Sequence, residues 1–93
     1  MHYTYVLLSD RDGMLYTGTT GDLRERIREH QGGRVRSTSY RRPLKLVYYE
    51  ACLSAADAFR RERFLKTGKG KRYLKNRLEA SLSEIGHNKL ERH

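Results

Sequence analysis

The residues best suited to do chemistry lie in the first third of the chain and begin with two tyrosines, Tyr5 and Tyr16. Both sit in stretches rich in aromatic and β-branched residues, which predicts two strands joined by a turn at Asp10 to Gly13. If that turn takes four residues, Leu7 lies opposite Tyr16 and Gly18 lies opposite Tyr5. The tyrosines are then diagonal neighbours on one face, close enough to border one pocket. A turn of odd length would place them on opposite faces.

A short helix that carries an arginine and a histidine is predicted directly after the hairpin. Asp22 and Glu25 have the spacing of a capping box at its start, and Gly32-Gly33 marks its end. Arg26 and His30 lie one turn apart and flank the apolar stripe, which is formed by Leu23 and Ile27. A permanent cation and a titratable imidazole are therefore placed beside the surface that packs on the sheet. Two tyrosines, an arginine and a histidine are predicted to converge on one spot.

A carboxylate, Glu62, interrupts the apolar side of a second predicted helix. A third strand is expected from Leu44 to Ala51, and Ser54 caps a helix that runs to about Lys66. Glu62 falls inside the apolar arc of this helix, which consists of Ala55, Ala58, Phe59 and Leu65. A carboxylate on a core-facing side is costly unless it is paired or coordinates a metal ion. From the residues alone, a salt bridge to a neighbouring arginine ranks ahead of a metal ligand.

The remainder of the chain is predicted to hold one more helix and a tail. Thr67 to Gly70 is expected to break the second helix, and another helix is expected from Lys71 to about Leu82. Its packed side is formed by Tyr73, Leu74, Arg77 and Leu78. Residues 1–82 would form a single domain, and residues 83–93 are polar and predicted to be a disordered tail. The GKGK run lacks the spacing of a phosphate-binding loop, so no nucleotide or other small-molecule cofactor is expected.

The order of these residues resembles the GIY-YIG nuclease family, and more narrowly its small single-domain bacterial members. The resemblance rests on Tyr3-Thr4-Tyr5, ten further residues, Tyr16-Thr17-Gly18, and then on Arg26, His30 and Glu62. The triplets depart from the family pattern, because Tyr3 and Thr4 replace Gly and Ile and Thr17 replaces Ile. The resemblance implies an α/β (α+β) fold in which helices flank a three-stranded antiparallel sheet, in the order β-β-α-β-α-α.

The resemblance also implies hydrolysis of DNA phosphodiester bonds, in a setting such as repair or recombination. Glu62 would bind Mg²⁺ or Mn²⁺, and one carboxylate is adequate because magnesium keeps most of its waters. Arg26 would hold the non-bridging oxygens and neutralise developing charge. Tyr5 would be the general base, although a free phenol with a pKa near ~10 needs nearby cations to serve at neutral pH. Tyr16 would orient the water or support Tyr5, and His30 would relay a proton or bind phosphate.

The charge of the chain points to an anionic partner. The 93 residues include 20 Lys and Arg against 11 Asp and Glu, which gives a net charge of +9. Nine basic residues and one acid lie between Arg60 and Arg77, and the loop from Gln31 to Pro43 adds four arginines. Such clusters favour contacts to the phosphates of DNA over contacts to base edges. The residues expected to make these contacts are Arg34, Arg36, Arg41, Arg42, Lys66, Lys69, Lys71, Arg72 and Lys75.

Other interpretations stay open at this point. The main rival is a nucleic-acid-binding module that has the same scaffold but no catalytic activity, or that needs a protein partner or a second copy for specificity. An RNA-binding protein of similar charge is a weaker alternative, because it accounts for neither Glu62 nor the pairing of Arg26 with His30. Each tyrosine could also be a strand aromatic whose hydroxyl is satisfied within the core.

Cysteine content and hydropathy give an expectation about location. Cys52 is the single cysteine, which excludes an internal disulfide and fits a reducing cytoplasm. Hydrophobic residues make up 37% of the chain without a long apolar run, so no membrane-spanning helix and no membrane partner are expected. The first residues lead directly into a strand, which argues against a signal peptide.

Overall fold

The computed structural model describes residues 1–85 as an antiparallel sheet with helices on both faces. The strands are β1 (His2–Ser9), β2 (Leu15–Thr20) and β3 (Leu44–Cys52), in the spatial order β2-β1-β3. The helices are α1 (Leu23–Gln31), α2 (Ala55–Leu65), α3 (Gly68–Arg77) and α4 (Glu79–Glu84), with a 3₁₀ turn at Ser39–Arg41. The predicted fold class and sheet are confirmed, and the observed order has one more helix than predicted.

The hairpin has the predicted register. Tyr5 pairs with Gly18 and Leu7 pairs with Tyr16, so both tyrosines face the same side of the sheet. The turn closes with a hydrogen bond from the Ser9 amide to the Met14 carbonyl at 3.0 Å. Gly13 adopts a φ of 71°, a left-handed conformation that glycine accepts without a steric penalty.

The two faces of the sheet carry different cores. Alternate residues of β1 point to opposite sides, as the pleat requires. One core, under α2, α3 and α4, is centred on Val6, Leu8, Leu65, Leu74, Leu78 and Leu82. The other, under α1, is smaller and consists of Tyr5, Leu7 and Leu44, with Tyr16, Leu23, Ile27 and Leu46 packed around it. A register shift in β3 opposite Val6/Leu7 lets Leu46 face α1 and Tyr48 face the larger core.

Two helix starts are confirmed by their capping hydrogen bonds. The Asp22 carboxylate accepts from the Glu25 amide at 3.1 Å, and α1 ends at the C-cap Gly32. The Ser54 hydroxyl accepts from the Ala56 amide at 3.2 Å and begins α2. Each cap satisfies an amide that the helix itself leaves without an acceptor.

The prediction that Thr67 to Gly70 is a helix break was wrong in its extent. Thr67 is the N-cap of α3, and its hydroxyl accepts from the Gly70 amide at 3.1 Å. Gly70 is therefore helical, and it lies so close to α2 that an added Cβ would be 2.0 Å from the Phe64 carbonyl oxygen. Gly70 allows this close approach of the two helices because it has no Cβ, and a count of helix-breaking residues does not reveal it.

The C-terminal boundary also differs from the prediction. The helix predicted from Lys71 to about Leu82 is divided at Leu78 into α3 and α4. Helix α4 continues through Glu84, beyond the predicted domain limit at residue 82, because Leu82 is buried and Ile85 packs against the larger core. Residues 86–93 of the predicted tail lie outside the described part of the chain.

Fewer residues are buried on the apolar sides of the two helices than the sequence predicted. In α2, Ala58 and Leu65 are buried, whereas Ala55 is exposed and Phe59 is 53% exposed. The small Ala58 allows a close contact, in which its carbonyl accepts a hydrogen bond from the Thr4 hydroxyl at 3.0 Å. In α3 and its C-cap, only Leu74 and Leu78 of the predicted packed side are buried, and Tyr73 and Arg77 are exposed.

Candidate active site

A buried chain of hydrogen bonds joins β1, α1 and the following loop. The Tyr5 hydroxyl lies 2.8 Å from Nε2 of His30, and Nδ1 of His30 lies 2.7 Å from the Thr38 hydroxyl oxygen. All three residues are buried, and the two rings meet edge to face. Buried polar groups of this kind are stable only when they satisfy one another. The three side chains are therefore held in one arrangement by their hydrogen bonds, and not by packing alone.

Arg26 donates a hydrogen bond to the Tyr5 end of this chain. Its Nε lies 3.4 Å from the Tyr5 hydroxyl oxygen, and a guanidinium can only donate. With Arg26 as a donor to Tyr5, we assign the Tyr5 proton to the hydrogen bond with Nε2 of His30 and the imidazole proton to Nδ1, which faces the Thr38 hydroxyl. Hydrogen bonds to Tyr5 and Glu29 raise the pKa of Arg26, so it stays charged.

His30 is kept neutral by its surroundings. Burial lowers its pKa, the charge of Arg26 lowers it further, and Glu29 opposes the shift. Glu29 also pairs with Nη1 of Arg26 at 3.1 Å. A neutral imidazole whose Nε2 accepts from a phenol can take up a proton from that phenol.

Gly18 makes room for the Tyr5 ring. The Tyr5 hydroxyl lies over Gly18, and a Cβ added there would be 2.4 Å from the hydroxyl oxygen. Tyr5 is held on its other side by His30 and Arg26, so it cannot move away freely. The glycine that follows Tyr16-Thr17 is thus required by packing against the first tyrosine, not by its own backbone conformation.

Tyr16 has a different environment from Tyr5. Its hydroxyl donates to Asp12 at 2.5 Å, and Asp12 also accepts from the Met14 amide at 2.8 Å. Burial and the Asp12 carboxylate raise the pKa of Tyr16, and Arg41 partly opposes this. Tyr16 therefore stays protonated, and it is a poorer candidate for a base than a tyrosine paired with a neutral histidine.

Glu62 shares a cleft with the four residues from the first third of the chain. The cleft has a volume of about 710 Å³, and its lining includes Tyr5, Tyr16, Arg26, His30, Glu62, Lys66 and Lys71. The Glu62 side chain is 15% exposed, and Lys66 Nζ lies 2.8 Å from its Oε2. The structure thus brings together all five residues that the sequence singled out. The ion pair expected for Glu62 exists, but its partner is a lysine and not an arginine.

The donor set in the cleft fits a weakly coordinated divalent cation. No group of three or more His, Cys, Asp or Glu side chains suited to a metal ion occurs among residues 1–85. Magnesium is commonly held by one or two carboxylates together with waters and substrate phosphate. Glu62 meets that requirement, provided that Lys66 exchanges its carboxylate partner for phosphate.

All four loop arginines predicted to bind nucleic acid lie outside the cleft lining. Arg34 pairs with Glu25 at 3.7 Å, Arg41 pairs with Asp12 at 3.6 Å, and Arg42 donates to the Ser39 carbonyl at 3.0 Å. Arg36 is exposed. These contacts are at the surface and are weak enough to exchange for phosphate.

The basic residues of the C-terminal half are divided between the cleft and the open surface. Lys66 and Lys71 line the cleft, beside the candidate catalytic residues. Lys69, Arg72 and Lys75 are exposed beyond it. A polyanion that enters the cleft would therefore meet two of these cations, Lys66 and Lys71, in its lining.

Two functional residues were missed from the sequence. Thr38 lies in the loop that was predicted to contact phosphate through its arginines, but it is buried and forms a hydrogen bond with His30. Asp12 was treated only as a turn residue, although it holds the Tyr16 hydroxyl. A threonine eight positions after the histidine carries no pattern of its own, whereas the register that puts Tyr16 near the turn could have pointed to Asp12.

Comparison with known proteins agrees with this geometry. The GIY-YIG catalytic domain profile matches residues 1–79, so the chain belongs to the GIY-YIG family, a family of nucleases. A UPF0213 protein of Staphylococcus saprophyticus is 39% identical over 75 residues, covering 80% of this chain and 90% of the relative. UPF0213 proteins of Staphylococcus haemolyticus and Bacillus pumilus are 42% and 40% identical over 67 residues, covering 71% of this chain and 80% and 67% of the relatives. No solved structure gives a significant match.

Within residues 1–85, each helix is too short or too polar to cross a bilayer.

Proposed function

We propose that this protein is a divalent-metal-dependent endonuclease that hydrolyses phosphodiester bonds in DNA. The observation that carries the proposal is the gathering of Tyr5, His30, Arg26 and Glu62 around one cleft. A proton acceptor, a fixed cation and a carboxylate are the three functions that phosphodiester hydrolysis needs. Membership of a nuclease family supports the same conclusion.

The Tyr5–His30–Thr38 chain supplies the path for the proton. The Tyr5 oxygen takes a proton from the attacking water while the Tyr5 proton passes to Nε2 of His30, which is 2.8 Å away. His30 becomes an imidazolium, and Thr38 holds its Nδ1–H throughout at 2.7 Å. This transfer removes the need for a free tyrosinate, which is scarce at neutral pH because a free phenol has a pKa near ~10.

Arg26, together with a cation held by Glu62, would stabilise the negative charge on the phosphate and the leaving oxygen. Arg26 is oriented by its contact to Tyr5, and its guanidinium can bind the non-bridging phosphate oxygens when Glu29 releases it. A Mg²⁺ or Mn²⁺ ion held by Glu62 would polarise the phosphate and stabilise the leaving oxygen. Lys66, once displaced from Glu62, remains in the cleft as a further cation for the phosphate.

A cleavage assay tests the proposal. Labelled duplex, single-stranded and branched DNA would be incubated with Mg²⁺, Mn²⁺ or EDTA. The proteins would be wild type, Arg26→Ala and Glu62→Ala, with Arg24→Ala and Glu79→Ala as controls because both residues are exposed and outside the cleft lining. We expect metal-dependent cleavage that falls at least about a hundredfold in the two cleft variants, the scale seen when a transition-state contact is lost. The controls should retain cleavage.

The alternative function is a nucleic-acid-binding module without catalysis. The ion pair between Glu62 and Lys66 at 2.8 Å favours it, because a carboxylate that is already paired needs no metal ion. This alternative predicts salt-sensitive binding without cleavage of any substrate. Cleavage that appears only after a protein partner or a second copy of the chain is added would instead support a nuclease that needs this partner.

A further inference from the structure

An aromatic side chain of α2 is exposed to solvent and lies outside the residues that line the cleft. Phe59 is 53% exposed, although its sequence context predicted a core position. Single exposed apolar residues are common and need no explanation by themselves. The position of this one on the helix and the charge beside it are what distinguish it.

Helix geometry places Phe59 next to the candidate catalytic carboxylate. Ala58 and Leu65 define the side of α2 that faces the core. Glu62 and Lys66 line the cleft, and residues three, four and seven positions apart share one side of a helix. Phe59 therefore lies on the cleft side of α2, one turn or about 5 Å of helix rise before Glu62.

An arginine accompanies the Phe59 ring. The Arg63 guanidinium carbon lies 5.7 Å from the ring centroid, within the range of a cation–π contact. Arg60 lies next to Phe59 in the sequence and is also exposed, and its guanidinium forms a surface ion pair with Asp57 that phosphate can replace. An exposed ring with adjacent arginines is the combination with which proteins hold unpaired bases, since the ring stacks on the base and the cations attract the phosphates. The faces of bases within a duplex are covered by their neighbours and offer no such surface.

We propose that Phe59 and Arg63 form a stacking site for an unpaired base of the DNA substrate, beside the position of cleavage. The preferred substrate would then carry a single-stranded segment, such as a flap, a gap or the branch of a junction. The placement beside the cut rests on the proposed nuclease function, whereas the stacking itself does not.

The opposite side of α2 provides a matched control. Phe64 is 37% exposed, and the Arg61 guanidinium carbon lies 5.2 Å from its ring centroid and 4.8 Å from that of Tyr73. Arg61 Nε also donates to both carboxylate oxygens of Glu50 at 3.0 and 3.1 Å. This arginine is held by a carboxylate, and Phe64 points away from the cleft. Phe64 has the same side chain on the same helix without the proposed role.

The absence of tryptophan from the chain allows a direct test. Phe59→Trp and Phe64→Trp each introduce a single tryptophan, whose fluorescence is quenched when a base stacks on it. Both proteins would be titrated in EDTA with oligothymidylate and with a blunt hairpin duplex. We expect strong quenching of Phe59→Trp by the single strand, and little quenching by the duplex or in Phe64→Trp. Equal quenching by the two DNAs, equal quenching at the two positions, or no quenching would overturn the proposal.

A second variant separates stacking from catalysis. Phe59→Ala should bind oligothymidylate roughly tenfold to a hundredfold less tightly, the scale of one lost stacking contact, whereas Phe59→Tyr should restore binding. Duplex affinity and the dependence of binding on salt should be unchanged, because no charge is removed. If these changes occur but wild type cleaves no DNA, stacking is supported and the nuclease proposal fails. If wild type cleaves and Phe59→Ala binds and cleaves flapped DNA as well as wild type, stacking is wrong.

Discussion

The two faces of the sheet differ in the kind of side chains that they bury. The face under α2, α3 and α4 buries a continuous aliphatic cluster that includes Val6, Leu8, Leu78 and Leu82. The face under α1 has a small cluster, and its central buried member is Tyr5, a residue with a polar end. The face under α2, α3 and α4 contributes most of the hydrophobic stabilisation, with Glu62 of α2 reaching the cleft beside it. The face under α1 accommodates the buried polar groups of Tyr5 and His30.

The difference shows what allows a domain of this size to contain a polar site. The buried hydroxyls and imidazole of the α1 face gain little stability, because each hydrogen bond replaces one to water. They are tolerated because they pair with one another and because the aliphatic face holds the sheet in place. Stability and chemistry should therefore be separable by mutation, and the following predictions test that separation.

The largest expected effect on stability lies in the aliphatic face. Leu78→Ala removes a buried side chain that is not part of the cleft lining, and we expect a loss of about 2–5 kcal/mol in the free energy of unfolding. Urea denaturation followed by circular dichroism measures it. Cleavage per folded molecule should be retained at low temperature. A loss of cleavage without a loss of stability would show that the two faces are not separable.

Gly18→Ala should have the opposite effects to Leu78→Ala, namely a smaller loss of stability and a large loss of cleavage. The added Cβ would lie 2.4 Å from the Tyr5 hydroxyl oxygen and would displace that hydroxyl from His30. Overpacking of this kind costs about 1–3 kcal/mol, but cleavage should fall to nearly undetectable levels. Gly68→Ala is the control, since an added Cβ there meets no atom within 4 Å. If Gly18→Ala cleaves normally, the Tyr5–His30 contact is not required.

The pH dependence of stability reports on His30. Its pKa in the folded protein is lowered, mainly by burial and then by Arg26, from a value near ~6.5 in the unfolded chain. Neutral His30 therefore contributes its full stability above pH ~6.5, and this contribution is lost as the pH falls from there through the folded pKa. Stability measured against pH should fall more steeply below pH ~6.5 in wild type than in His30→Gln. If stability depended on pH in the same way in both proteins, the lowered pKa of His30 would be contradicted.

The hairpin register and the two helix caps could be predicted from the residues, because each depends on positions that are close in the chain. The pairing of β1 with the distant strand β3 depends on contacts across the chain, and the three-stranded sheet was predicted only through the family resemblance. The sequence also brought Tyr5, Tyr16, Arg26 and His30 together, since strand and helix periodicity fix the faces of their side chains. Predictions from the sequence were wrong for features that tertiary packing determines. Gly70 lies within α3 where that helix approaches α2 closely, and Phe59 is exposed because the buried side of α2 is formed by Ala58 and Leu65.

The smallest expected effect concerns the second tyrosine. Tyr16 donates to Asp12 at 2.5 Å, and burial together with that carboxylate raises the pKa of Tyr16. Asp12→Asn keeps an acceptor oxygen but removes the charge, so the pKa of Tyr16 should fall while the hydroxyl stays in place. Titration of ¹³C-labelled tyrosine by NMR measures this, with Asp10→Asn as a control in the same turn. Because Tyr16 remains protonated at neutral pH in either case, cleavage should change far less than in Gly18→Ala. A loss of cleavage as large as that of Gly18→Ala would mean that Tyr16 and Asp12 take part in the proton transfer assigned to Tyr5 and His30.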